Sequence, residues 1–138
     1  MSAIYVETSA VLAWLLGQNG AAEVRRAVDE ADAAVTTVLT FTEASRALVR
    51  AETDGIIRGG DALRLRGALE RARTGWMCMT VSEDVLARAS RPFPEEPVRT
   101  LDAVHLATAL EFTQALADLR MLSFDTRILR NAEALGLL

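Results

Sequence analysis

Four carboxylates carry the chemistry this chain could do. Glu7, Glu43, Asp102 and Asp125 each fall where a helix is expected to begin, and Glu7 and Asp125 directly follow stretches that read as strands. In an open parallel α/β sheet the carboxyl ends of the strands lie along one edge, and ligands bind there. Acids far apart in sequence can therefore meet in one pocket. With a single histidine and a single cysteine in the whole chain, such a pocket offers oxygen donors, the set that suits a hard divalent cation, Mg²⁺ or Mn²⁺.

Each acid also has a plainer explanation. Carboxylates cap free N–H groups and oppose the dipole at helix N-termini. Thr40 and Glu43 have the spacing of a capping box, Asp125 is well placed as an N-cap, and Asp102 follows Thr100 into a first turn. As a set the four are harder to explain by capping. Glutamate is not a preferred cap, and gathered carboxylates repel one another unless a cation joins them. His105, three residues after Asp102, is read either as a hydrogen-bond partner of Asp102 or as helix packing. One Cys and one His do not make a zinc site. No nucleophile elbow accompanies His105, which excludes a serine triad.

The positioning elements alternate. Strands are expected over Ala3 to Val6, Ala33 to Val38, Trp76 to Val81 and Arg120 to Phe124. Helices are expected over Thr8 to Leu16, on to Asp32, over Leu39 to Asp54, Asp61 to Arg73, from Ser82, over Thr100 to Leu116 and Asp125 to Leu135. All three prolines fall in the loop RPFPEEP. Alternating strands and helices predict a single α/β domain over residues 1–138, with a parallel sheet covered by helices on both faces.

Composition narrows the functional classes. Every basic residue is arginine; without lysine there is no P-loop, and no GxGxxG follows the first strand to bind a dinucleotide. The net charge is −4, which by itself does not favour nucleic acid. Between Arg46 and Arg73, however, seven arginines stand against four acids, either solvated helix faces or a surface for phosphates. The lone Cys78 reads as core packing, and the absence of any intrachain disulfide fits a cytoplasmic protein. The longest apolar run, Ala10 to Leu16, is too short to span a membrane, and Glu7 interrupts what could otherwise be a signal segment.

The stretches IYVETSAVLAWLL, LTFTEASRAL, LDAVHLATAL and LSFDTRILRNAEALGL resemble the four acidic motifs of PIN-domain ribonucleases. In order and spacing they most resemble the short VapC-like toxins of toxin–antitoxin pairs, over nearly the whole chain from about Ile4 to Leu137. The resemblance implies a Rossmann-like fold with a central parallel sheet of four to five strands. It implies a pocket with one or two Mg²⁺ or Mn²⁺ ions, endonucleolytic cleavage of RNA, a small cognate antitoxin and a homodimer. By position the catalytic acids would be Glu7, Glu43, Asp102 and Asp125. Glu7, Asp102 and Asp125 would ligate metal, and Ser9 would line the pocket. One residue departs from the family pattern: its first acid is usually aspartate, and here it is Glu7. The longer side chain is a tolerated variant, a weakened metal ligand or an introduced substitution. Two rivals follow from it and from the acidic pocket: a PIN-like module that binds RNA or protein without cutting, and a metal-dependent phosphatase of small esters.

Overall fold

A computed structural model describes all residues 1–138. Its order is β1 (Ala3–Val6), α1 (Thr8–Leu15), α2 (Ala21–Glu30), β2 (Ala33–Thr37), α3 (Val38–Thr53), α4 (Gly59–Gly75), β3 (Met77–Met79), α5 (Glu83–Ala89), α6 (Thr100–Thr113), β4 (Arg120–Leu122) and α7 (Thr126–Ala134). The four strands form one parallel sheet in the order β3-β2-β1-β4. The chain steps outward from β1 to β3 and then returns to place β4 on the other side of β1. The order therefore reverses between β1 and β4, and a crevice opens beyond the carboxyl ends of those two strands.

Side-chain alternation along β1 divides the core in two. Ala3 and Tyr5 pack with Leu106, Phe112, Met121 and Ile128 under α6 and α7. Val6 packs with Val11, Phe41, Leu48 and Leu65 under α1, α3 and α4. Helices thus cover both faces, as the alternation predicts. No helix is long and apolar enough to cross a membrane.

Boundaries shift in one place that matters. Val38, expected to end β2, instead opens α3, because the Thr37 hydroxyl accepts the Leu39 amide and caps the helix. Thr40 lies buried, its hydroxyl 2.7 Å from that of Thr36. The capping box expected of Thr40 and Glu43 does not form, and the Glu43 side chain is free for other partners.

The proline loop sets the start of α6. The Glu96 carboxylate accepts the Phe93 and Val98 amides, and the buried Asn131 side chain of α7 pairs with the backbone of Glu95 in both directions. From that anchored loop α6 runs into the core, with every residue from Asp102 to Ala109 buried. A helix enclosed on all sides carries Asp102 and His105 inward whatever their polarity.

Candidate active site

Glu7 directly follows β1 and is the N-cap of α1. It is 4% exposed, and burial of an ionised group is tolerable only with hydrogen bonds. Three donors serve it. Its Oε1 accepts the hydroxyls of Ser9 and Ser123, each at 2.6 Å, and its Oε2 accepts the Ser9 amide at 2.9 Å. The two serines then accept in turn: Ser9 Oγ takes the Phe124 amide and Ser123 Oγ the Asp125 amide. The ends of β1 and β4 are stitched together through the Glu7 carboxylate. Asp125 is the N-cap of α7, as expected, with its Oδ1 on the Arg127 amide.

Asp102 lies in the first turn of α6 and is 9% exposed. Its Oδ2 accepts from Arg99 Nε at 3.1 Å, and another nitrogen of the same guanidinium lies 3.7 Å from Asp125 Oδ2. Asp102 and Asp125 thus converge on one cationic group. The hydrogen bond and charge of Asp102, with the charge of Asp125 behind them, raise the Arg99 pKa from its ordinary value.

Glu43 approaches from α3 and joins a different network. Its Oε1 accepts the Thr8 hydroxyl at 2.8 Å and faces His105 Nε2 at 2.6 Å. A carboxylate only accepts, so Nε2 carries the proton. Nδ1 of the ring then accepts the Tyr5 hydroxyl at 2.8 Å. Burial holds the Tyr5 hydroxyl well above the usual phenol range, so it remains a donor. Burial also pushes Glu43 upward, but the hydrogen bonds from His105 and Thr8 and the charge of Arg99 outweigh it, leaving the carboxyl below its ordinary value. Of the two readings of His105, the hydrogen bond to Asp102 does not form, and the ring packs within the core beside α6 with partners of its own. Although the two residues share neighbouring helix faces, His105 is engaged by Glu43 and Tyr5, while Asp102 Oδ2 accepts from Arg99.

Sequence reading missed four participants: Tyr5, Thr8, Ser123 and Arg99. Ser123 had a usable signal, a hydroxyl two residues before an N-cap acid. Arg99 had a better one. It is the N-cap of α6 yet makes no capping hydrogen bond, and it places a cation at the end of a helix that disfavours cations.

The donor chemistry fits a hydrated divalent cation. Mg²⁺ commonly binds through one or two carboxylates and keeps several waters, and Asp102 with Asp125 is a pair that already draws a cation. No three Asp, Glu, His or Cys side chains close into a ready-made cage. The arginine-rich segment lies elsewhere. Arg46, Arg66 and Arg73 line a groove of about 680 Å³ between α3 and α4, and none of the four acids lines it. Arg66 and Arg73 face Glu52 and Glu70, so part of that charge is spent internally. Cys78 borders the same groove, half-buried and packed against the core under α1, α3 and α4.

The model of the PIN domain aligns with residues 4–135. The chain belongs to the PIN-domain family. Over 137 residues it is 31% identical to "Ribonuclease VapC46" of Mycobacterium tuberculosis, covering 99% of this chain and 95% of the relative. Two solved structures share the fold of this PIN domain. The crystal structure of Mycobacterium tuberculosis VapC20, described as a Sarcin-Ricin loop cleaving toxin, superposes with a TM-score of 0.67 at 20% identity, covering 98% of this chain and 96% of the other. A toxin–antitoxin complex from Klebsiella pneumoniae superposes with a TM-score of 0.63 at 17% identity, covering 89% and 87%.

Proposed function

We propose that this PIN domain is a divalent-metal-dependent endoribonuclease, the toxin of a type II toxin–antitoxin pair. The observation that carries the reading is the convergence of Asp102 and Asp125 on one guanidinium, beside a Glu7 that is linked to Asp125 through Ser123. The whole-length likeness to a VapC ribonuclease supports it.

Asp102 and Asp125, joined by Glu7, would hold Mg²⁺ or Mn²⁺. Once bound, the cation supplies Lewis-acid polarisation of a phosphoryl oxygen and activation of water. The protein's own groups supply orientation. Ser9 and Ser123 lock the Glu7 carboxylate, and with it the spacing of the β1 and β4 ends. Glu43 is held through Oε1 by Thr8 and His105, while its Oε2 receives no protein hydrogen bond and the side chain stays 27% exposed. That oxygen would orient the attacking water. As a toxin of this kind the protein would act in the cytoplasm, be held by a small cognate antitoxin, and work as a homodimer.

The test is cleavage of a mixed pool of structured RNA with Mn²⁺ or Mg²⁺, with EDTA, and with Asp102→Asn. Cleavage should require the metal and fall at least about a hundredfold in the variant, the scale of losing a main electrostatic group. Metal-independent cleavage, or full activity in Asp102→Asn, would refute the reading.

A further inference from the structure

Asp102 is a buried carboxylate whose one protein hydrogen-bond donor is Arg99. The arginine itself is 62% exposed, and it reaches Asp125 with a second nitrogen. Its placement runs against local preference, since an arginine neither caps α6 nor suits the positive end of a helix dipole. The two carboxylates are what hold it. A cation that is itself exposed and makes contact only with two crevice acids can be replaced there by another cation arriving from solvent.

We propose that Arg99 is the internal counter-ion of the acid pair, exchanging with the divalent cation and then turning to the substrate phosphodiester. This rests on the metal-dependent reading above. With the metal absent, the guanidinium neutralises Asp102 and Asp125 and keeps two like charges from repelling each other. Once the acids hold a metal, the same guanidinium is released at the mouth of the crevice, where its planar fork matches a phosphate. Arg99 is thus a positioning residue with opposite effects on the two ligands: it competes with the metal and assists the RNA.

The experiment measures Mn²⁺ binding by calorimetry and binding of a non-cleaved phosphorothioate RNA to the metal-loaded protein. The proteins are the wild type, Arg99→Gln, Arg99→Lys and Asp102→Asn. Removing a unit charge about 4 Å from the acids should tighten Mn²⁺ binding at least about fivefold in Arg99→Gln, even in a water-like dielectric. The same variant should bind the RNA about fivefold to tenfold more weakly. Arg99→Lys, which keeps the charge, should retain Mn²⁺ affinity near the wild-type value. A purely structural arginine would weaken both ligands together, and that result, or unchanged Mn²⁺ affinity in Arg99→Gln, overturns the proposal. Asp102→Asn separates the two failures. If it loses Mn²⁺ while Arg99→Gln changes nothing, the exchange is wrong and the metal site stands. Should the wild type bind no Mn²⁺, or Asp102→Asn bind it equally well, the metal reading and the exchange fall together.

Discussion

Shortening the first acid, Glu7→Asp, sets family pattern against structure. The PIN-like pattern usually has aspartate there, so the substitution would be expected to help. The geometry predicts harm. Removing one methylene withdraws the carboxylate by on the order of 1.5 Å. Aspartate is a good N-cap, so the Ser9 amide bond survives, and the Ser9 hydroxyl, on the same turn, can follow the carboxylate. Ser123 follows a separate strand and cannot. Its hydroxyl, now 2.6 Å from Glu7 Oε1, would be left roughly 4 Å away, beyond hydrogen-bonding range. A hydrogen bond to a charged group contributes about 1.5–3 kcal/mol. The freed hydroxyl lies 3.2 Å from Ser9 Oγ and can pair with it, which favours the lower end, about 1.5–2 kcal/mol. For a domain of this size 1 kcal/mol moves Tm by about 4 °C. Differential scanning calorimetry should therefore show Glu7→Asp melting about 6–8 °C below the wild type, and RNA cleavage should not rise. A variant that melts at or above the wild-type temperature and cuts faster would show that Glu7 is a defect rather than a fitted residue.

Two further outcomes test the surroundings of the site. The Glu43 carboxyl is depressed in the folded protein, so its stabilising contribution is complete above the ordinary glutamate value near 4.3 and is lost as pH falls through the lower folded value. Urea unfolding should consequently lose stability more steeply between about pH 5 and 3 in the wild type than in Glu43→Gln; parallel curves would refute the His105 and Thr8 hydrogen bonds as the cause. Gly20 has φ +96°, and a Cβ there would stand 2.5 Å from the Phe124 ring tip. Gly20→Ala should cost roughly 1–2 kcal/mol for the left-handed backbone alone, with the displaced ring adding to it, and an unchanged Tm would contradict the close packing.

Much of the fold was legible because its signals are local. The β-rich run Ala3–Val6, the cap at Ser82, and the acids at the starts of α1, α6 and α7 each depend on a few neighbouring residues, whereas the strand order that creates the switch point does not. The four acids were nameable for the same reason. Their partners were not. Thr40 and Glu43 have the right spacing for a capping box, yet Thr37 takes the cap and Glu43 turns to His105, 62 residues away. His105 has Asp102 three residues before it but bonds Tyr5, 100 residues away.

By itself, then, the sequence determined the element types, their alternation and the carboxylates that arrive at one sheet edge, since propensity, capping and hydrophobic period act over a few residues. Only the tertiary structure decided how those carboxylates are held. Ser123 on Glu7, His105 on Glu43 and Arg99 across Asp102 and Asp125 depend on the return of the chain from β3 to β4 and on the burial of α6. Hydrogen-bond geometry at that range is set by packing, which no local spacing encodes.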